Sequence, residues 1–420
     1  MSSEILIIGA IILIGFIGNT VFEYTKIPES LFMIIIGLII GPALGIVGHS
    51  EFIEIAPVVT TITLIIILLD TGLSLDLFKT IRLLGKAFSF TILVLTISTA
   101  LIGTAMYFLR WDMLQAILIG ILGSGTTTIV VADLIPRLRV PAEISQILIM
   151  ESIINDVTLL TAAVIIIDVM SLETVVPGNI ISAFITSILV SITLGILFTI
   201  LWVEVLWRIK KSQKLAYVFT LGGLFILYSI AEFLNGNGAI AVLIMALLLG
   251  NLPSILNSLN GSNLTNNIIE RSSWSIHGFN HRFHNVLDAM RKTQLNFSFF
   301  TTNFFYVYIG VIFNIEELNF PLITICVTIL ILMYVSRYLA VRLQSIIQPK
   351  LKEHTMIMTM VVARGFTATF TALLPASVGV EIPLLKEIVL ILVIISTFAT
   401  IGGGIIYERR FLPKKEKNEE

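Results

Sequence analysis

Charged side chains are scarce in this chain of 420 residues. Only 13% of the residues are charged, whereas 56% are hydrophobic, and the mean hydropathy is +1.00. Average soluble chains carry about 25% charged residues, so this composition excludes a soluble globular protein. The net charge of −1 gives no basis for nucleic-acid binding. The single cysteine, Cys326, rules out an internal disulfide.

The motifs of enzymes are also missing from the sequence. No nucleophile–base set, nucleotide-binding motif or complete metal cluster is visible, so we predict neither an enzyme nor a cofactor. The first apolar run begins at Ile5 without a basic segment before it and without a small-residue cleavage site. This pattern predicts a transmembrane helix, not a signal peptide.

What the chain does contain is a series of long apolar runs. Each run of about 17–25 residues can cross roughly 30 Å of hydrocarbon, and backbone groups in lipid must bond internally. We therefore predict an all-α polytopic membrane protein of about thirteen transmembrane helices, a single unit over 1–420 with a short charged tail over 407–420. The predicted spans lie near 4–22, 31–47, 55–72, 87–108, 113–134, 145–168, 179–206, 215–234, 238–252, 297–313, 319–343, 354–376 and 384–406.

The distribution of Lys and Arg predicts the orientation. Every connection after an odd-numbered span carries Lys or Arg, whereas those after even-numbered spans hold only Arg110 and Lys386. Basic residues favour the cytoplasmic side, so we predict an N-terminus outside and a C-terminus in the cytoplasm of the cell membrane. An odd number of spans requires the same arrangement. The long connection over 253–296 includes a predicted interfacial amphipathic helix from Phe283 to Asn296.

Two of the spans are predicted to be interrupted. The fifth contains the stretch from Gly123 to Thr128, and the twelfth contains Ala363-Arg364-Gly365 followed by several Thr and by Pro375. Discontinuous helices at matching places in two halves of a transporter indicate its binding site. An inverted repeat with span seven as linker would pair these two spans, although the halves share no visible sequence identity.

The most informative string is Glu151-Ser152-Ile153-Ile154-Asn155-Asp156, which lies inside an apolar run. A charge at the bilayer centre costs about 2.5–3.5 kcal/mol, so such residues are usually functional. Glu151, Ser152, Asn155 and Asp156 share one side of a helix of about 3.6 residues per turn. Their oxygen atoms suit a hard cation, and a carboxylate removed from water also holds a proton readily. A structural polar network between helices is the alternative interpretation.

Three further charged residues lie in or near the spans. Asp70 either completes the ligand set of a cation or lies at the aqueous end of its helix. Arg364 is the deep cation, and we predict that it pairs with Glu151, because a buried guanidinium requires a carboxylate. Arg337, followed by Tyr338 and Arg342, is a second candidate partner but is expected to extend to the cytoplasmic surface.

In these stretches the chain resembles the monovalent cation/proton antiporters, specifically the NhaP-type sodium/proton antiporters. The similarity covers nearly the whole chain and is carried by several motifs in order. They are Gly37 to Pro42, Leu69 to Asp76, Arg137 to Pro141, the Glu151 to Asp156 string as the family's ES-x-x-ND motif, Ala231-Glu232 through Gly238, Ala241-Val242, Gly250-Asn251, and Arg364-Gly365.

The resemblance implies a role for each matching residue. Asp156 would be the main carboxylate for cation and proton, with Ser152, Asp70, Thr126 and Thr127 as further ligands. Asn155 would shape the site, and Glu151 would pair with Arg364. The fold would be an inverted repeat with two discontinuous crossing helices. The resemblance also implies a homodimer, with moving core helices over 55–168 and 297–406 and dimerisation helices over 1–50 and 179–252.

One departure from the family pattern concerns the choice of cation. Family members usually read Thr-Asp-Pro where this chain reads Thr126-Thr127-Thr128, so Thr127 replaces an aspartate. The expected function is electroneutral exchange of a monovalent cation for H⁺, with Na⁺, Li⁺ or K⁺ as the cation. A weaker field would favour K⁺, and a potassium-efflux type of K⁺/H⁺ antiporter is the alternative. A cation channel or a sensor of the same fold is a less favoured alternative.

Overall fold

The computed structural model describes residues 29–45, 56–74, 77–135, 138, 140–171, 177–208, 213–259, 276–377 and 379–411. Every regular element within these ranges is helical. The predicted first span over 4–22 lies outside the described residues, as does the end of the chain after Phe411. The fourteen α-helices of the described ranges are α1 (Glu29–Leu38), α2 (Ala56–Ser74), α3 (Leu77–Phe108), α4 (Met113–Leu122), α5 (Thr128–Leu134), α6 (Ala142–Ser171), α7 (Pro177–Arg208), α8 (Gln213–Phe233), α9 (Gly238–Leu259), α10 (Ile276–Val311), α11 (Phe320–Ile347), α12 (Thr355–Met360), α13 (Phe366–Ser377) and α14 (Leu385–Phe411).

Seven helices in the described part of the chain are long and apolar enough to cross a membrane. These seven are Gly85–Phe108, Ala142–Ile167, Ile185–Leu206, Leu215–Phe233, Gly238–Ile255, Phe320–Ile347 and Leu385–Tyr407. Each of them overlaps a predicted span. Shorter apolar helices cover Leu31–Ala43, Thr61–Ser74, Met113–Leu122 and Phe366–Ala376. The predicted all-helical membrane class is confirmed.

The chain divides into two compact units. The first comprises Met1–Pro57, Leu83–Val175 and Asn303–Glu420, and the second comprises Val58–Arg82 and Val176–Thr302. Most of the predicted moving helices fall in the first unit, but residues 58–82 group with the second. Of the predicted dimerisation helices, those over 179–252 fall in the second unit, whereas those over 1–50 fall in the first. The roles of these helices in movement and in dimerisation stay predictions.

Within the first unit, α1 packs closely against the end of α10. A Cβ atom at Gly41 would lie 2.7 Å from the Cα of Val311, and one at Gly37 would overlap the carbonyl of Val307. Small residues allow helix backbones to approach in membranes, so the Gly37 to Pro42 stretch is a packing face. The helix continues after Leu38 as one π-helical turn, Ile39–Ala43, which contains Pro42.

Within the second unit, α2 packs against α9 at Gly72, where a Cβ atom would lie 2.8 Å from the backbone nitrogen of Leu247. Arg291 of α10 donates hydrogen bonds to the carbonyls of Leu73 at 3.1 Å and Gly250 at 2.9 Å. The predicted interfacial helix is not a separate element, because α10 runs without a break from Ile276 to Val311. The sequence from 279 to 309 contains neither Gly nor Pro to interrupt it.

Candidate functional site

Two helices of the first unit are interrupted at the predicted places. An unwound stretch over 123–127 separates α4 from α5, and another over 361–365 separates α12 from α13. Gly123 and Gly125 in the first stretch, and Gly365 in the second, weaken a helix, and so do the consecutive Thr residues. The prediction of two discontinuous spans is confirmed.

The two unwound stretches contact each other directly. The backbone N–H of Thr127 donates to the carbonyl of Ala363 at 2.9 Å. A Cβ atom at Gly365 would lie 2.6 Å from the Cβ of Thr127, so the crossing has room only for glycine there. These contacts fix where one half-helix begins relative to the other.

Hydroxyl groups of α14 satisfy the backbone of the second stretch. Ser396 accepts a hydrogen bond from the N–H of Arg364 at 2.9 Å, and Thr400 accepts one from the N–H of Val362 at 3.0 Å. Buried backbone groups without partners are costly, so these two side chains allow a helix to stay open at membrane depth.

Asp156 of α6 lies beside the beginnings of both half-helices. The hydroxyl of Thr128 donates to its Oδ2 at 2.7 Å. The backbone N–H of Thr128 and the side chain of Thr367 lie against the same carboxylate. Thr128 opens α5 and Thr367 is in the first turn of α13, where unpaired N–H groups and the helix dipole favour negative charge. The arrangement supplies the carboxylate with hydroxyl and backbone N–H donors.

The four polar residues of the string on α6 differ in their exposure to solvent. Asp156 is partly exposed, whereas Glu151, Ser152 and Asn155 are buried. Among these four polar side chains, only that of Asp156 keeps a sizeable accessible area.

The predicted ion pair between Glu151 and Arg364 is wrong. Glu151 pairs instead with Arg337 of α11, whose Nη2 lies 2.8 Å from Oε2 and whose Nη1 lies 3.2 Å from Oε1. Arg337 also donates from Nε to the carbonyl of Met358 at 2.6 Å and lies 5.4 Å from the ring centroid of Phe90. The expectation that Arg337 extends to the surface is therefore wrong too. Its guanidinium has the fork geometry and the third acceptor that a buried pair requires.

Arg364 is buried with an incomplete set of partners. Its Nη2 donates to the carbonyl of Gly123, at the end of α4. Its Nε and Nη1 have no hydrogen-bond partner among the described residues. A cation at the C-terminus of a half-helix offsets the negative end of that helix dipole. With Glu151, Asp156, Arg337 and Arg364 all ionised, the formal charges of the site cancel.

Asn155 connects the string to the first unwound stretch. Its Nδ2 donates to Oε1 of Glu151 at 3.2 Å and to the carbonyl of Ser124 at 3.4 Å. Its Oδ1 is buried, and the described residues give it no donor. A Cβ atom at Gly125 would lie 3.8 Å from this oxygen. These bonds agree with a site-shaping role for Asn155, which stays a prediction.

The other predicted ligands have hydrogen bonds away from Asp156. Thr126 donates to Oε1 of Glu151 at 3.1 Å, and Ser152 donates to the carbonyl of Ile149 at 2.8 Å. Thr127 contributes its backbone to the crossing, as described above. The hydroxyls that do reach Asp156, from Thr128 and Thr367, were not predicted. The sequence indicates these two residues only by their position, because each lies at the start of a half-helix after a predicted break.

Asp70 belongs to the second unit. Its Oδ2 accepts a hydrogen bond from Ser298 at 3.1 Å, and one helical turn earlier Gln294 donates to the carbonyl of Ile66 at 2.7 Å. Asp70 is partly exposed. Its part in the ligand set of Asp156 stays a prediction.

Comparisons with known proteins give the family and the fold of the chain. Residues 9–408 match the family model described as the transmembrane sodium/hydrogen exchanger. The structure of the sodium proton antiporter MjNhaP1 from Methanocaldococcus jannaschii at pH 8 superposes with a TM-score of 0.73 and 21% identity, covering 97% of this chain and 96% of that one. An electron-microscopy map of the same antiporter gives a TM-score of 0.69 and 18% identity, with complete coverage of both chains. At these identities the likeness shows that the fold is shared.

A further relative matches part of the chain in sequence. Sodium/hydrogen exchanger 7 of Arabidopsis thaliana is 26% identical over 167 aligned residues, and the match covers 37% of this chain. The match spans 15% of the length of that plant protein. The family model covers nearly all of the present chain, and so the chain belongs to the sodium/hydrogen exchanger family.

Proposed function

We propose that the protein is a secondary antiporter that exchanges a monovalent cation for H⁺ by alternating access, with Asp156 as the shared binding residue. The observation that carries the proposal is the contrast between the two acids of the motif. Glu151 is buried and neutralised by Arg337, whereas Asp156 is partly exposed and held by hydroxyl groups. Of these two acids, Asp156 is thus the one left to exchange one ligand for another.

The charge of the site supports electroneutral exchange. One ionised carboxylate takes either one proton or one monovalent cation, and each ligand cancels the same charge. Transport of one cation against one proton would therefore move no net charge. Family membership supports cation and proton substrates, and the likeness to a sodium proton antiporter supports Na⁺ in particular.

Oxygen atoms near Asp156 could complete a cation site. Thr128 and Thr367 lie against the carboxylate, and the hydroxyl oxygen of Ser152 retains acceptor capacity after donating to Ile149. Hydroxyl and carboxylate oxygens are ligands that hard cations accept. Because Thr127 replaces the family aspartate, the negative field at the site is weaker, and this favours K⁺. We therefore propose K⁺ beside Na⁺, and we name Li⁺ as a further cation to be tested. A K⁺/H⁺ antiporter of the potassium-efflux type is the runner-up.

We further propose a homodimer in the cell membrane with the N-terminus outside and the C-terminus in the cytoplasm. The alternation of Lys and Arg along the predicted connections supports this orientation. The family resemblance supports the homodimer. Single cysteines placed in the predicted connections of a Cys326→Ala variant would test the orientation. In intact cells, a membrane-impermeant fluorescent label should reach only the cysteines on the outside.

Transport in proteoliposomes tests the function directly. Vesicles with an imposed pH gradient and an internal pH dye should lose the gradient when Na⁺, Li⁺ or K⁺ is added, and the order of the three gives the selectivity. Asp156→Asn should abolish the response, and Lys352→Gln, at an exposed site, should not. Cation-driven current without proton counter-transport would favour a channel and contradict the proposal.

A further inference from the structure

An apolar groove of about 610 Å³ runs along α3 in the first unit. The α3 residues that line it recur every three or four positions between Leu95 and Phe108, a length of about 20 Å at 1.5 Å per residue. Residues of α4 and Ala162 of α6 form the other walls. The length exceeds half of the roughly 30 Å hydrocarbon thickness, so the groove matches one leaflet of a bilayer.

Small residues create the groove. A Cβ atom at Gly120 would lie 2.8 Å from the carbonyl of Thr99, so α3 and α4 approach closely there. Thr96, Ala100 and Thr104 are exposed along the recess and too small to fill it. The hydroxyl of Thr99 is buried and has no hydrogen-bond partner in the described parts of the chain. The small side chains of Thr96, Ala100 and Thr104 leave the recess unfilled along α3.

A basic residue lies at one end of the groove. Arg110 is exposed, follows Phe108 by two residues, and has a φ of 72°, which turns the chain sharply after α3. Within the described ranges its guanidinium has neither a hydrogen-bond acceptor nor an ion-pair partner. Tyr107 and Trp111 flank it, as expected where a helix leaves the hydrocarbon for the headgroup region.

We propose that this groove is a binding site for one membrane phospholipid, with an acyl chain along α3 and the headgroup phosphate on Arg110. Guanidinium groups bind phosphate through paired, charge-assisted hydrogen bonds. The connections on this side of the predicted topology are otherwise acidic, and only Lys386 shares the sign of Arg110. Charge complementarity therefore directs the phosphate to Arg110, and the groove length accepts the acyl chain.

Phosphatidylethanolamine and phosphatidylglycerol share the phosphodiester group and differ in the rest of the headgroup. The exposed carboxylate of Asp112 lies two residues beyond Arg110. It can accept hydrogen bonds from the ammonium of phosphatidylethanolamine, but it repels phosphatidylglycerol weakly. We therefore expect both lipids to bind, and phosphatidylethanolamine to bind more tightly than phosphatidylglycerol.

Native mass spectrometry of the full-length detergent-purified protein tests the site. Delipidated wild type, titrated with phosphatidylethanolamine or phosphatidylglycerol, should retain one lipid per chain at low lipid concentration. Ala100→Phe fills the recess and should weaken that binding at least tenfold. Val327→Phe, which adds the same ring at an exposed position of α11, should leave it unchanged. Equal retention by wild type and Ala100→Phe would overturn the proposal.

The headgroup contact has its own variant. Arg110→Gln should weaken binding of both lipids about tenfold or more, because a charge-assisted hydrogen bond to phosphate is lost. Lys352→Gln removes an exposed charge elsewhere and serves as the control. Asp112→Asn should remove only the preference for phosphatidylethanolamine. Unchanged affinity in Arg110→Gln would exclude it as the phosphate ligand and contradict the proposal.

A measurement on the wild-type protein tests the site without relying on variants that fold correctly. A phospholipid with a photoreactive diazirine in its acyl chain, reconstituted with wild type, should label residues between 95 and 121 above the level on other lipid-facing helices. Uniform labelling of all such helices would overturn the site. Light scattering of Ala100→Phe is the second readout, since a loss of oligomers would mean that another copy of the chain occupies the groove.

Discussion

Glu151 and Arg337 form a bidentate ion pair with both side chains almost completely excluded from solvent, 0% and 2% exposed. The two oxygens of Glu151 accept from Arg337 at 2.8 and 3.2 Å, and Thr126 and Asn155 donate to the same carboxylate. The pair joins α6 to α11 and leaves the other acid of the motif, Asp156, to a different set of partners. The chemistry proposed for Asp156 depends on this division between the two acids.

Loss of Arg337 should destabilise the protein strongly. Arg337→Met leaves Glu151 charged and buried without its partner, which typically costs about 3–5 kcal/mol. The unfolding temperature in detergent should fall well below that of wild type. Arg342→Gln, on the same helix but exposed, is the matched control.

A double variant separates pairing from packing in this prediction. Glu151→Leu combined with Arg337→Met removes both charges and should be more stable than Arg337→Met alone. An unfolding temperature for Arg337→Met equal to that of wild type would show that the pair does not support the fold.

Gly365→Ala should damage the crossing of the two unwound stretches. The added Cβ would lie 2.6 Å from the Cβ of Thr127, and overpacking of this kind costs about 1–3 kcal/mol. We expect a lower unfolding temperature and slower transport. Gly402→Ala on α14 is the control, because a Cβ there meets no atom within 4 Å. Equal behaviour of the two variants would argue against a tight crossing.

Thr128→Val should weaken cation binding at Asp156. The variant removes the hydroxyl that donates to the carboxylate at 2.7 Å, and hydrogen bonds to charged groups contribute about 1.5–3 kcal/mol. The half-saturating cation concentration should rise about tenfold or more, and Thr128→Ser should restore it. Thr324→Val, at an exposed threonine of α11, should have no effect. If Thr128→Ser is as defective as Thr128→Val, then the hydroxyl is not the important group.

Thr127→Asp tests the origin of cation selectivity. A second carboxylate in the unwound stretch should raise the field and increase the preference for Na⁺ over K⁺, measured as the ratio of half-saturating concentrations. Thr127→Asn has a similar shape without the charge and should keep the ratio of wild type. A shift of the same size in both variants would attribute selectivity to shape and not to charge.

Some features of the fold and site follow from local sequence, and others depend on packing. The breaks near Gly123 and Gly365 were predictable because glycine and consecutive Thr residues weaken a helix wherever they occur. The contact between Glu151 and Asn155, four residues apart on α6, follows from helical periodicity.

The partner of Glu151 could not be chosen in the same way. Arg337 and Arg364 both lie in apolar runs, and the nearby Tyr338 and Arg342 made Arg337 resemble a surface residue. The pairing is decided by the position of Arg337 on α11, which brings its guanidinium within reach of Glu151 and of the carbonyl of Met358, a third acceptor. The bond between Asp70 and Ser298 likewise joins residues far apart in the chain, and no local pattern indicates it.

Competition between a cation and a proton for Asp156 is the central claim, and proton release on cation binding tests it most directly. Purified protein in weakly buffered detergent, titrated with NaCl or KCl against choline chloride and followed by a pH dye, should release protons in a saturable manner. The account predicts that the half-saturating cation concentration rises as the pH falls and that Asp156→Asn releases none. Saturable release that persists in Asp156→Asn would contradict it.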